Sequence, residues 1–206
     1  LRKIRIGTRG SRLALAQVKE AKSLLPEADY EIVIFETAGD RDKLSPADQV
    51  DFTGAIEAAL LENKIDLAVH SAKDLPDTVK DGLLIFTMRS IDEDDALVSK
   101  NNLKLAELPK GAKIGTSSGR RREQAFLIRP DLQILDLRGN IDERLDKLDR
   151  GEYDAIIVAA AALVRLRLDD RIAERLDFET AKGQGSLAIQ ARKDDGEIKE
   201  WLEKFI

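Results

Sequence analysis

Lys64-Ile65-Asp66-Leu67-Ala68-Val69-His70-Ser71 is the stretch on which the reading of this chain turns. Its apolar core, Ile65 to Val69, is nearly continuous, as in a strand covered on both faces inside a parallel sheet. Upstream, Ile4-Arg5-Ile6 alternates as a strand does, and Gly7-Thr8-Arg9-Gly10-Ser11 breaks the pattern. Ala14, Val18, Ala21 and Leu25 then recur at helical spacing up to Pro26. Glu31 to Phe35 reads as a second strand, stopping at Gly39-Asp40, and Ile56, Leu60 and Leu61 mark a second helix. The order β-α-β-α-β predicts parallel pairing with right-handed crossovers.

The order recurs downstream. Lys113-Ile114-Gly115-Thr116 resembles Arg5-Ile6-Gly7-Thr8, and Ser117-Ser118-Gly119 leads into a helix carrying Ala125, Phe126 and Ile128, stopped by Pro130. Gln133 to Leu137 reads as a strand, Ile141, Leu145 and Leu148 as a short helix closed by Gly151, and Tyr153 to Val158 as the next strand. Glu152-Tyr153-Asp154-Ala155-Ile156-Ile157 echoes the opening stretch. The expected fold class is therefore α/β: two similar open-sheet domains with a ligand cleft between them. The join is expected in the acidic, aperiodic Ile91-Asp92-Glu93-Asp94-Asp95.

The 206 residues hold 34 Lys+Arg against 39 Asp+Glu, a net charge of −5, with 43% hydrophobic and 35% charged residues. That balance is globular. The longest apolar run, Ala155 to Val164, is about half the roughly 20 residues a membrane helix needs. No apolar segment opens the chain, so a cytoplasmic location is expected. The absence of cysteine removes disulfides, a thiol nucleophile and thiolate metal sites, and the single histidine leaves no histidine metal cluster, so no metal is expected. Aromatic residues at 4% and the negative charge argue against a nucleic-acid partner.

Ligands of open parallel sheets bind beyond the carboxyl ends of the strands. There lie Thr8-Arg9-Gly10-Ser11, His70-Ser71-Ala72-Lys73-Asp74, Thr116-Ser117-Ser118-Gly119-Arg120-Arg121 and Arg138-Gly139-Asn140. Helix N-termini and the forked guanidiniums of Arg9, Arg120, Arg121 and Arg138 suit carboxylate or phosphate. The Ser and Thr residues also read as plain N-caps. Three cations in Arg120-Arg121-Arg122 at a helix N-terminus oppose the dipole and call for an anion. Arg144, on a charge-rich helix, reads as surface, whereas Arg165, in a largely apolar run, needs a partner. His70 reads as a satisfied core histidine. Asp74 is the candidate for proton chemistry: it could protonate a leaving amine and then stabilise the cation left behind. Its plain alternative is a helix-starting Asp before Leu75-Pro76.

Six segments, in order, resemble the porphobilinogen deaminase (hydroxymethylbilane synthase) family: 6–15, 68–76, 114–122, 136–145, 153–163 and Gly183-Gln184-Gly185-Ser186-Leu187-Ala188-Ile189. The likeness runs from Ile4 to Arg192. It implies a fold like type II periplasmic binding proteins, with residues 1–91 plus 182–206 as one domain and 92–181 as the second. It also implies a third domain, expected to be absent here, bearing a cysteine that holds a dipyrromethane cofactor through a thioether. The implied reaction deaminates four porphobilinogens and joins them into a linear tetrapyrrole in heme biosynthesis. By motif position Asp74 matches the catalytic aspartate. Ser71, Lys73, Thr116, Ser117, Ser118, Arg120, Arg121, Arg138 and Arg144 match contacts to cofactor or growing chain, which reverses the surface reading of Arg144. Arg9, Ser11, Gln17 and Arg165 match substrate-binding positions, with Gln184 in a turn nearby. The chain departs from the family in residues 41–51, where Ser45-Pro46-Ala47-Asp48 reads as a capped helix start, and at Gly119 and Ala162. Three readings of the missing cysteine stay open: a truncated chain, a separate third-domain polypeptide as partner, and a non-catalytic homologue that binds pyrrolic or other multi-carboxylate ligands.

Overall fold

The computed structural model describes residues 3–25, 27–42, 50–89 and 91–204. The expected stop at Pro26 and the expected helix start at Ser45-Pro46-Ala47-Asp48 lie outside the described residues. Along the chain the first elements are β1 (Ile4–Arg9), α1 (Arg12–Leu24), β2 (Tyr30–Phe35), α2 (Ala38–Arg41), α3 (Gly54–Leu61), β3 (Leu67–Ser71) and β4 (Leu83–Met88). Next come β5 (Asp95–Ser99), β6 (Lys113–Gly115), α4 (Gly119–Ile128), β7 (Gln133–Leu135), α5 (Ile141–Asp149), β8 (Ala155–Ala159), α6 (Ala160–Leu166) and β9 (Glu174–Leu176). The last are β10 (Leu187–Arg192) and α7 (Gly196–Glu203). These form two compact units: the first holds the described parts of Leu1–Asp42, Asp51–Ile91 and Lys182–Ile206, and the second contains Asp92–Ala181.

The sheet of the first unit has the order β2-β1-β3-β10-β4. β1 lies parallel to β2 and β3, and β10 lies antiparallel to β3 and β4. The sheet of the second unit has the order β7-β6-β8-β5-β9, with β6 parallel to β7 and β8, and β5 antiparallel to β8 and β9. The two sheets thus share one mixed topology, and the sequence echo between 64–69 and 152–157 is an echo between strands in the same sheet position. In the first sheet the fourth strand, β10, comes from the far end of the chain, whereas in the second it is β5, which precedes β6.

Packing explains where the elements differ from the sequence expectation. β1 does not break at Gly7 but runs to Arg9, because its register with β2 continues from Ile4↔Tyr30 to Arg9↔Phe35. Gly7 is there for space: a Cβ would sit 2.3 Å from Ile65 Cδ1. Alternation splits the first unit's core. Ile4, Ile6, Leu67, Val69, Leu187 and Ile189 pack against Val18 and Ala21 of α1 and Ile198, Trp201 and Leu202 of α7. On the opposite face Ala68 packs with Ile56, Ala59 and Leu60 of α3. Period-2 alternation therefore also places His70 of β3 and Gln190 of β10 on the α3 face. In the second unit Leu97, Ile114, Ala155 and Ile157 pack with Ala125 and Leu132. β4 and β9, the antiparallel edge strands, and β5, which opens inside the acidic stretch, have no counterpart among the sequence expectations.

Candidate functional site

In the first unit the loops after β1 and β3 converge on one pocket, lined by Thr8, Arg9, Ser11, Gln17, Phe52, Thr53, His70, Ser71 and Asp74 among others. Arg9 enters it already partnered. Its Nε donates to Asp40 Oδ1 at 3.0 Å, Nη2 donates to the same oxygen, and the guanidinium lies 4.3 Å from the Phe52 ring centroid. Burial by itself would raise the Asp40 carboxyl; the bonds from Arg9 and Thr37 outweigh it and hold it below its ordinary value. Ser11 is the N-cap of α1, accepting from the Ala14 N–H at 3.2 Å. Gln17, buried on α1, donates to Ser71 Oγ at 2.7 Å.

Lys73 and Asp74 follow β3 on a single 3-10 turn, Ala72–Asp74, and both are exposed. Asp74 forms part of the pocket wall rather than starting an α-helix. The turn that carries the buried Gln184 braces this segment. The Ala72 N–H donates to the Ser186 carbonyl at 3.0 Å, and a Cβ on Gly183 would lie 3.2 Å from Ala72 Cβ and 3.4 Å from the Lys73 nitrogen. Gly183 has φ +74°, so both backbone and space favour glycine there.

In the second unit the loops after the parallel strands β6, β7 and β8 share one end of the sheet. Thr116 is buried, and its Oγ1 accepts from the Ser118 N–H at 3.3 Å. Ser117 Oγ donates to the Leu137 carbonyl at 2.9 Å and accepts from the Leu137 N–H at 3.0 Å, tying this loop to the one carrying Arg138. Ser118 caps α4 through the Arg121 N–H. Arg144 Nε donates to the Gly139 carbonyl at 2.7 Å, so the α5 arginine is held against the Arg138 loop. Arg138, Arg144 and Arg165 are each half-buried.

The anion that three arginines at the start of α4 seemed to require is internal. Asp95, fully buried at the start of β5, accepts from Arg120 Nη2 at 2.6 Å and from Arg121 Nε at 2.8 Å. Arg122 pairs instead with Asp136 at 2.6 Å. Burial alone would raise the Asp95 carboxyl; Arg121 and Arg120 outweigh burial and hold it below its usual range. Arg121 is itself buried beside Asp95, and Arg120 keeps the more accessible guanidinium. Asp40 and Asp95 escaped the sequence reading because each meets its arginine across many residues of chain, with no local spacing to signal it.

His70 departs from the expected satisfied core histidine. It is 5% exposed, and its Nε2 has no hydrogen-bond partner; the same is true of buried Thr8 Oγ1 in the same pocket. Burial lowers the imidazole to about 4, so it is neutral at ordinary pH.

The donors at these strand ends suit a ligand with several carboxylates. They fit the carboxylates of a dipyrromethane but not its covalent link, because the 206 residues contain no cysteine. Two copies of one mixed open α/β topology define the class: a two-unit protein of the type II periplasmic-binding-protein kind. Solved structures of that shape include the VFT2 domain of Bordetella pertussis BvgS, with TM-score 0.55, 15% identity, 98% of this chain and 85% of that one. Another is the probable amino-acid ABC transporter extracellular-binding protein ytmK of Bacillus subtilis, with TM-score 0.55, 15% identity, 99% of this chain and 90% of that one. At such identities the likeness concerns the fold alone. The chain belongs to the porphobilinogen deaminase family: the family model described as "Porphobilinogen deaminase, dipyromethane cofactor binding domain" matches residues 4–200. Relatives named porphobilinogen deaminase include that of Deinococcus radiodurans, 47% identical over 95% of this chain and 68% of the relative. That of Thermus thermophilus is 46% identical over 95% and 67%, and that of Geobacillus kaustophilus 45% over 100% and 71%. No helix among the described residues is long and apolar enough to cross a membrane.

Proposed function

We propose that this chain performs the hydroxymethylbilane synthase reaction of heme biosynthesis, deaminating four porphobilinogens and joining them into the linear tetrapyrrole. Family membership supports the reaction. The observation that supports the chemistry of the site is the placement of Asp74: an exposed carboxylate on the wall of a polar pocket that also holds Arg9, Ser11 and Gln17.

Asp74 delivers the proton that turns the aminomethyl nitrogen into leaving ammonia. The carbon–nitrogen bond breaks with its electron pair on nitrogen, and the carboxylate then faces the methylene-pyrrole cation left behind. Arg9, Ser11, Gln17, Arg165 and Gln184 hold the incoming substrate. Ser71, Lys73, Thr116, Ser117, Ser118, Arg120, Arg138 and Arg144 hold the carboxylates of the cofactor, with Arg121 setting Arg120 through Asp95. When bound, the dipyrromethane supplies the pyrrole to which the growing chain is joined. Since these 206 residues hold no cysteine, the thioether needs a thiol from outside them, carried either by a further segment of the same chain or by a separate polypeptide as partner. The proposed compartment is the cytoplasm.

The test supplies the cysteine-bearing remainder of the Thermus thermophilus relative as a second polypeptide and follows ammonia release from porphobilinogen. Wild type should make tetrapyrrole only in its presence. Asp74→Asn should slow the reaction by at least on the order of a hundredfold while leaving substrate binding nearly unchanged. Equal rates would remove Asp74 from the chemistry. Substrate binding with no ammonia release would identify a binding homologue instead.

A further inference from the structure

The side chain of Arg9 is fixed from two directions. The first is Asp40, on the short helix α2 that follows β2. Asp40 Oδ1 accepts from Arg9 Nε at 3.0 Å and from Arg9 Nη2, and its Oδ2 accepts from the Thr37 N–H at 3.0 Å and the Thr37 hydroxyl at 2.7 Å. An ionised carboxylate has about four such acceptor sites, so Asp40 uses all of them. Thr37 is buried, and the side chains of Arg9 and Asp40 are only 24% and 25% exposed, so the pair is shielded from the water that weakens a surface ion pair. The second support is Phe52, whose ring centroid lies 4.3 Å from the guanidinium. That ring is seated on Gly39, the residue before Asp40, where a Cβ would stand 2.2 Å from it. The Gly39 N–H donates to the Asp51 carbonyl at 2.9 Å, and Asp51 Oδ1 accepts from the N–H groups of Thr53 at 2.8 Å and Gly54 at 2.7 Å, where α3 begins. The 37–40 turn and the start of α3 therefore form one mount for Arg9.

A guanidinium presents its N–H donors in a planar fork. Asp40 takes the Nε–H and one N–H of Nη2. No described residue accepts from Nη1, so the edge between Nη1 and Nη2 is left over, and Arg9 lines the pocket that also holds Ser11, Gln17 and Asp74. That edge matches a carboxylate bidentately. An arginine without such a mount would have to give up its rotamer freedom on binding; here it is already given up in the folded chain. We propose that Asp40, backed by Thr37 and Phe52, is the positioning residue that fixes Arg9 ahead of binding, so that the remaining edge of its fork receives one carboxylate of the incoming porphobilinogen. This rests on the function proposed above and deepens it. Asp40 acts through Arg9 and not on the substrate. Its charge also offsets that of the guanidinium, so positioning and masking predict opposite results. Loss of a positioning carboxylate weakens binding, whereas loss of a mask strengthens it.

The test is a double-mutant cycle on Asp40 and Arg9, read as the affinity of the full chain for porphobilinogen. Asp40→Asn keeps the shape and removes the charge. It should weaken binding about tenfold, the scale of a hydrogen bond to a charged group. In an Arg9→Ala background the same change should alter affinity by less than about twofold. Equal loss in both backgrounds would mean a merely structural role and overturn the proposal. Tighter binding by Asp40→Asn would make Asp40 a mask and overturn it as well. Arg9→Lys provides a second reading that stands even if Asp40→Asn fails to fold. It keeps a cation for Asp40 but has no fork, so it should unfold at the wild-type temperature and still lose about tenfold in affinity for porphobilinogen. Wild-type affinity in Arg9→Lys would show that the fork is not what binds. If wild type and Asp40→Asn bind porphobilinogen alike, the proposal falls and the function stands; if wild type does not bind it, both fall.

Discussion

Asp95 and His70 are both buried ionisable groups held below their ordinary values, Asp95 by its arginines against burial and His70 by burial itself. Asp95 neutralises Arg121 in the interior, so Asp95→Ala leaves a buried charge alone and should cost roughly 3–5 kcal/mol. A denaturant midpoint unchanged by that substitution would show that the pair carries nothing. The pH dependence separates the two groups. The folded-state value of His70 is lowered to about 4 against roughly 6.5 in the unfolded chain, so the unfolded state binds the proton more readily. Its contribution is complete above about pH 6.5 and is lost as pH falls toward 4, a loss of roughly 3 kcal/mol. Asp95, held below its ordinary value, keeps its contribution above about pH 3.9 and loses it only below that. Denaturation at pH 7 and pH 4.5 should therefore weaken wild type far more than His70→Gln. Parallel behaviour of the two proteins would refute the assignment.

Among the elements, the glycine turn before β10 and the N-terminus of α5 set the loops that carry candidate site residues. A side chain at Gly183 would meet Ala72 and the Lys73 nitrogen in a backbone conformation of φ +74°. Gly183→Ala should cost about 1–3 kcal/mol and displace the Lys73–Asp74 turn, lowering turnover more than a surface change of equal stability cost. Retained activity at reduced stability would show that the turn is not braced in this way. At α5, Asn140 Oδ1 accepts from the Glu143 N–H at 3.0 Å and Glu143 Oε2 accepts from the Asn140 N–H at 2.9 Å. Asn140→Ala removes the side-chain half of this capping box, with an expected cost of about 1 kcal/mol in thermal unfolding. The Gly-Gln-Gly turn was legible from its motif, whereas the Asn140 cap, although it depends on neighbours in sequence, has no counterpart among the sequence expectations. What the turn packs against was not legible, since Ala72 lies far from Gly183 along the chain.

At the scale of the molecule, the two sheets are alike but their chain paths differ. The second unit's sheet is formed entirely within Asp92–Ala181, whereas the first sheet needs β10, whose six residues are all buried between β3 and β4. We expect residues 92–181 to fold cooperatively when expressed alone, and residues 1–91 to remain unfolded until 182–206 is supplied. Dispersed amide NMR spectra check the first claim. A stable, cooperative 1–91 fragment would contradict the second.

The sequence by itself determined the α/β alternation, the internal repeat, the parallel β1–β2–β3 and β6–β7–β8 sets and the family, because hydrophobic period and motif order are local and survive in the bare string. It also singled out Arg9, Asp74 and Arg120. The tertiary structure alone decided that each sheet is completed by antiparallel strands, β10 and β4 in the first and β5 and β9 in the second. It alone gave Arg120 and Arg121 their anion in Asp95 and Arg9 its anion in Asp40, and left His70 with an unspent hydrogen bond. Those outcomes depend on which distant residues meet where water is excluded, and there a single partner or its absence changes the energy of a charge by several kcal/mol.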